Sequence, residues 1–341
     1  MKTSDFDYDL PTGLIAQTPA ERRDHSRLMV LSWGNGALSH HRFYEVVEYL
    51  RPGDVLVLND SRVIPARLLG RKERSGGGVE VLLLHRLEDG VWEALLRPAR
   101  RLGPGTNIEL SADGGVSLSA RVLERGDGGV GIVRLSDESA LQAVGKVPLP
   151  PYIRRPIEDP ARYQTVYARA EGSVAAPTAG LHFTPDLLRA IAEKGVRLAF
   201  VTLHVGLASF RPVQADDPRE HNLHTEYFEV GPDAAGEIAR AREEGGRVVC
   251  VGTTAARVLE QAALSGEGEV RPMKGWADIY ILPGHRFMAV DALITNFHLP
   301  RSTLLMLVAA FAGRERVLSA YGEAVRFGYR FYSFGDCMLI T

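Results

Sequence analysis

Residues 53–68 read GDVLVLNDSRVIPARL, and the two halves of that stretch belong to different structures. In the first half, Val55-Leu56-Val57-Leu58 is an unbroken apolar run opened by Gly53 and closed by Asn59 and Asp60. So short a run with no polar alternation predicts a strand buried on both faces of a sheet. GRVVCVG at 246–252 reads the same way, while 185–195, 232–245 and 253–266 carry helical spacing with polar starts and Gly stops. These segments predict an α/β body. The second half, SRVIPARL, leaves that body and opens onto a chain of different texture.

From Arg67 to Lys146 the sequence is built of short β-rich runs, VEVLLLHRL (79–87), VWEALLRPA (91–99), VSLSARVLE (116–124) and VGIVRLS (130–136). Gly- and Asp-rich turns separate them: SGGG, EDG, SADGG and RGDGG. Strands about ten residues apart with such turns predict a small antiparallel barrel or sandwich, and a barrel-like insert is the expectation. The chain returns through VPLPPYIRRP, which is stiffened by Pro148, Pro150 and Pro151. The expected fold is therefore a mixed α+β body, residues 1–66 and 147–341, carrying an inserted barrel-like domain at 67–146.

The 341 residues, 45% hydrophobic and 24% charged with a net charge of −2, suit about two soluble domains. Two cysteines, Cys250 and Cys337, give no disulfide framework and no cysteine-rich zinc site. The N-terminus MKTSDFDYDLP is acidic where a signal peptide is apolar, and the apolar run Leu304–Ala312 is far short of the roughly 20 residues that span a bilayer. A cytoplasmic protein with no membrane partner is expected. Local basic clusters count for more than the total: Arg62 with Arg67 and Arg71, Arg97 with Arg100 and Arg101, and Arg154 with Arg155.

Several segments are candidates for chemistry. RVVCVGTTAARVLE (247–260) runs from strand through Gly252 into a helix at Thr253 and Thr254, whose free N–H groups suit an anion. Neither G-x-G-x-x-G nor G-x-x-x-x-G-K-[ST] occurs, so nicotinamide and P-loop readings lose their main support. Three strand-end segments each place a histidine beside Gly, Phe or Pro: His182 in GLHF, His204 in TLHVG and His298 in NFHLPRS, the last with Asn296. Strand ends are where α/β sheets open ligand crevices. The run GSVAAPTAGLHFT (172–184) has too little apolar side chain to hold a core, which points to close backbone approach to a ligand. His221, His224 and Glu226 could form a zinc site, but H-E-x-x-H is missing, and an alternating strand with its polar face outward is the better reading of the segment.

Ten strings spanning residues 8 to 340 closely resemble the S-adenosylmethionine:tRNA ribosyltransferase-isomerase family of queuosine biosynthesis. They include YDLPTGLIAQTPAERRDHSRL, GDVLVLNDSRVIPARL, GSVAAPTAGLHFT, LHVGLASFRPV, VGTTAARVLE, DALITNFHLPRSTLLMLVAAFAG and YRFYSFGDCMLI. The resemblance implies transfer and rearrangement of the ribosyl part of S-adenosylmethionine onto 7-aminomethyl-7-deazaguanine at the tRNA wobble position. The products would be epoxyqueuosine-tRNA, adenine and methionine. S-adenosylmethionine would be a consumed substrate, with no metal or other cofactor.

On that footing the candidates for proton transfer are His182, His204 and His298, with Asp60 as a further acid–base or sulfonium-pairing group. Asn59, Gly252, Thr253, Thr254 and Asn296 are candidates for positioning substrate. Pro177, Thr178, Ala179 and Gly180 would lie against a nucleoside or flipped base, with Phe183 stacking on it. Arg62 is a candidate for substrate and tRNA, Arg154 and Arg155 for tRNA. Two other readings compete: an RNA-binding protein without catalysis, and a metal-dependent hydrolase built on His221, His224 and Glu226.

Overall fold

The computed structural model describes residues 1–111, 116–206, 213–221, 223 and 225–341. Contacts divide the chain into a body, Met1–Ser61 with Pro151–Ala170 and Ala176–Thr341, and an insert, Arg62–Pro150 with Glu171–Ala175. The insert thus takes more chain than the 67–146 read from texture. One reason is a backbone bond from the Ile64 N–H to the Ser173 carbonyl, 3.0 Å, which ties the segment before Arg67 to the returning strand.

Strands β1 (Arg27–Leu31), β2 (Leu38–Arg42) and β3 (Val55–Asn59) precede the insert. It supplies β4 (Ser61–Val63), β5 (Arg67–Lys72), β6 (Gly78–Glu88), β7 (Val91–Arg97), β8 (Asn107–Ser111), β9 (Ser117–Arg125) and β10 (Val130–Leu135). Later in the chain come β11 (Ala170–Ser173), most of which belongs to the insert, and then β12 (Arg197–Leu203), β13 (Glu226–Val230), β14 (Val248–Val251), β15 (Met273–Ala277), β16 (Ala292–Asn296) and β17 (Cys337–Ile340). The α-helices are α1 (Val46–Tyr49), α2 (Leu141–Val144), α3 (Pro185–Glu193), α4 (Pro232–Glu243), α5 (Gly252–Ser265), α6 (Thr303–Ala312) and α7 (Arg314–Arg326).

Within the insert, β10-β7-β6-β5-β8-β9 close into an antiparallel barrel, as expected for the insert. Closure removes the sheet edges that would otherwise invite aggregation. Alternation fills its interior: in β9, Leu118, Ala120 and Val122 are buried while their neighbours Ser119 and Arg121 face outward.

The body is a nine-stranded mixed sheet ordered β15-β13-β12-β3-β14-β16-β17-β1-β2. Its centre, β12, β3, β14 and β16, is parallel throughout. β3 is fully buried along its length, as an apolar run without alternation requires. On one side Leu56, Leu58, Val249, Val251 and Ile294 pack with Leu187 and Ile191 of α3. Complete burial of each such side chain is worth about 1.5–3 kcal/mol. Helix α5 contacts β3, β12, β14 and β16, and it is buried on nearly every side, which its alanines allow by keeping the helix thin.

Candidate active site

Four parallel strands deliver their carboxyl ends to one edge of the sheet, and a cavity opens there. β12 contributes Val205 just beyond its end, β14 leads into Gly252, Thr253 and Thr254, and β16 supplies Thr295, Asn296 and, past its end, His298. The 3₁₀ turn Thr178–His182 presents Pro177, Thr178 and Ala179 to the same cavity. Tyr152, Ser302, Tyr332 and Ser333 complete its polar lining. This is where the topology of an open α/β sheet places a ligand crevice.

Gly252 holds φ at +87°, a left-handed conformation that glycine adopts without strain, and this turns β14 directly into α5. The residue before the helix, Val251, has no capping side chain, so the first N–H groups of α5 lie beside the cavity without a built-in acceptor. Ser302 caps α6, its Oγ accepting from the Leu305 N–H at 3.2 Å.

His298 is the one histidine that lines this cavity among the described residues. Its Nε2 lies 2.8 Å from Thr295 Oγ1, and its backbone is clamped by Tyr8, whose hydroxyl donates to the His298 carbonyl, and by its own N–H donating to Tyr321 Oη at 3.0 Å. Burial pushes its pKa down to about 3, so the ring is neutral near pH 7.

His182 sits one residue back from the cavity. Asn296 Nδ2 donates to the Tyr332 carbonyl at 2.9 Å, which turns Asn296 Oδ1 toward His182 Nε2, 3.3 Å away. His182 therefore carries its proton on Nε2, and Nδ1 accepts from Ser26 Oγ at 2.7 Å. Burial is the first cause that pushes this pKa down to about 4, against the nearby Asp336 carboxylate.

Arg257, 6% exposed, also lines the cavity. Its Nη1 donates to Glu226 Oε2, and Glu226 Oε1 accepts from the Gly206 N–H at 2.8 Å. The Nε and Nη2 atoms of the same guanidinium are buried without a partner among the described residues, as is Thr254 Oγ1.

Other expected site residues lie elsewhere. Phe183, expected to stack on a base, is fully buried in the core, edge-on to Phe43 at 4.9 Å. Gly180 is needed for packing: a Cβ there would lie 2.1 Å from Tyr167 Oη. Asn59 ties β3 to β12, its Oδ1 accepting from Leu203 N–H and its Nδ2 donating to Leu203 O, both 3.1 Å. Asp60 is held by Arg169 Nε at 2.5 Å and Thr202 Oγ1 at 2.7 Å. His204 stacks on Tyr227 with 5.6 Å between ring centroids, and its neighbour Val205 faces the cavity instead. Arg154 and Arg155 are exposed, and Arg62 in the insert has Glu171 at 3.7 Å.

His224 lies outside the described residues; His221 packs edge-on against Tyr280, and Glu226 is committed to Arg257. Among the described residues no group of three His, Cys, Asp or Glu side chains is placed to hold a metal ion. No helix among them is long and apolar enough to cross a membrane.

The profile of the family described as Queuosine biosynthesis protein matches residues 3–340. The chain belongs to this family. S-adenosylmethionine:tRNA ribosyltransferase-isomerases of Dehalococcoides mccartyi and Symbiobacterium thermophilum are 54% and 53% identical to it, each over 100% of both chains. The enzyme of that name from Clostridioides difficile is 51% identical, again over both full lengths. A crystal structure of S-adenosylmethionine tRNA ribosyltransferase from Thermotoga maritima is similar with a TM-score of 0.58 and 42% identity, covering 99% of this chain and 100% of that one.

For this member of the queuosine biosynthesis family, the structure also adds cavity residues that the sequence reading did not single out. Tyr152 and Tyr332 face each other there with ring centroids 4.7 Å apart. Tyr332 holds φ at +72°, a strained conformation for an aromatic residue. A Tyr in PPYIRR or FYSFG has no periodic signature that separates a cavity aromatic from a core one. Arg257 is a third such residue, and its only trace in the sequence is a charge among Ala, Val and Leu inside α5.

Proposed function

We propose that the protein transfers the ribosyl moiety of S-adenosylmethionine to 7-aminomethyl-7-deazaguanine at the wobble position of tRNA and isomerises it, giving epoxyqueuosine-tRNA, adenine and methionine. The observation that carries this reading is 51–54% identity, end to end, with curated enzymes of that name. The cavity at the carboxyl ends of the parallel strands is the place for the reaction.

S-adenosylmethionine is a substrate that is consumed, and its sulfonium acidifies the adjacent ribosyl CH₂. A base must take that proton, and His298 is the cavity imidazole that is neutral and so able to accept it, although the burial that keeps it neutral also weakens it as a base. The uncapped N–H groups at Gly252–Thr254 stabilise oxygens that gain charge as the ribose rearranges. Tyr152 and Tyr332 offer ring faces for a purine or deazapurine. His182 acts through Asn296, fixing its amide, and is a positioning residue. Arg154 and Arg155 of the body, and Arg62 of the insert, contact tRNA phosphates. The protein works in the cytoplasm, where its tRNA substrate is.

The test is incubation with S-adenosylmethionine and tRNA carrying the deazaguanine precursor, followed by nucleoside mass spectrometry. Epoxyqueuosine with matched release of adenine is expected. A protein that binds this tRNA yet releases no adenine would instead be the RNA-binding protein without catalysis.

A further inference from the structure

The guanidinium of Arg257 is half used. Among the described residues only Nη1 has a partner, Glu226, while Nε and Nη2 are buried with none, in a side chain 7% exposed. Nε–H and Nη2–H point the same way along one edge of the guanidinium, the side-on fork that takes both oxygens of a carboxylate or phosphate. A buried donor pair left empty is costly, and arginine cannot shed its proton to relieve that cost. Glu226 is itself held by the Gly206 N–H, so it fixes the guanidinium through one nitrogen and leaves the fork open.

The surroundings favour an anion. Arg257 lies in the second turn of α5, whose uncapped N-terminus lines the same cavity and carries the positive end of the helix dipole. Thr254 Oγ1, also buried without a partner, is a third donor at that helix start. The nearest neutralising acid, Glu226, is already spent. We infer that Arg257 is a substrate-specificity residue whose Nε/Nη2 edge receives the α-carboxylate of the methionyl end of S-adenosylmethionine.

This inference rests on the function proposed above, in which that molecule enters this cavity. A carboxylate is planar and matches the fork edge to edge. A tRNA phosphate shares the chemistry, and the experiment separates the two sources.

Steady-state turnover is measured at saturating precursor tRNA with S-adenosylmethionine and with its decarboxylated analogue, which keeps the sulfonium, ribose and adenine. The wild-type protein is expected to show a KM at least about tenfold higher for the analogue, the effect of one lost bidentate contact. In Arg257→Lys, which keeps a cation beside Glu226 but loses the fork, that discrimination should shrink toward one.

Equal KM values in the wild type overturn the inference without any variant. So does an Arg257→Lys protein that weakens both substrates by the same factor, since that is what a purely structural role predicts. If Arg257→Lys instead raises the KM for tRNA and keeps the discrimination, the fork holds a phosphate and the carboxylate assignment fails. A wild-type protein that makes no epoxyqueuosine from S-adenosylmethionine refutes the proposed function itself, an outcome distinct from all of these.

Discussion

Replacing His182 with Gln removes one titrating group from the body without emptying the space between Ser26 and Asn296. In the folded protein burial holds His182 at a pKa of about 4, below its ordinary 6.5. In the unfolded chain it titrates near 6.5. Between those values the unfolded state binds more protons, so stability rises with pH in that window. The contribution is fully present above about pH 6.5 and is lost as pH falls through 4.

The difference corresponds to about 3 kcal/mol in full, most of which is gone by pH 4.5. Urea unfolding of wild type and His182→Gln at pH 7.5 and pH 4.5 isolates it, because His298, which burial also lowers, is present in both proteins. The wild type is expected to lose about 2–3 kcal/mol more than the variant on acidification. Equal losses would mean that His182 is protonated, or solvated, in the native state, and the neutral Ser26–His182–Asn296 chain would be wrong.

Gly180→Ala places a methyl 2.1 Å from Tyr167 Oη and should cost about 1–3 kcal/mol in thermal unfolding. Adding Tyr167→Phe should recover most of it, because that hydroxyl has no hydrogen-bond partner among the described residues to lose. Arg154→Ala and Arg155→Ala should each lower the log–log salt dependence of tRNA binding by about one, and unchanged slopes would remove them from the tRNA face. His298→Asn should lower kcat by about 10²–10⁴ while the melting temperature stays close to that of the wild type. Near-normal turnover would take His298 out of proton transfer.

The parts of the fold that could be read in advance are those whose pattern is local. Val55–Leu58 reads as a buried strand, and the SGGG, EDG and RGDGG turns read as joints between short antiparallel strands, while closure into a barrel rather than a sandwich comes from pairing that the turns do not encode. The strand-end segments were legible for a similar reason, since Gly252 and Pro300 break regular structure where the chain must leave the sheet. Which way a side chain points after such a break is not local. His182 and Phe183 are adjacent, yet the 3₁₀ turn sends one to Asn296 and the other into the core against Phe43. Asp60 looks like a catalytic acid at a strand end until Arg169, distant in sequence, is found on it. Arg257 pairs with a glutamate on another strand, and nothing in GTTAARVLE announces that the guanidinium keeps a free edge.

The small residues of GSVAAPTAGLHFT need room for protein as well as for ligand. Gly180 is small because Tyr167 and Thr165 press against its backbone. Ala179, 3% exposed, lies against the start of α5, where a Cβ on Gly252 would meet its methyl in ordinary contact at 3.6 Å. A larger residue at 179 would push the 3₁₀ turn off the N-terminus of α5 and spread the cavity wall, while leaving β14 and β16 in register. The same short side chains that exclude this run from core-building therefore allow two elements, far apart in sequence, to close on one cavity: the turn that carries His182 to Asn296 and the helix that carries Arg257 to Glu226. The composition of the run suggests close approach of a ligand, and what approaches it in the structure is Tyr167 and α5.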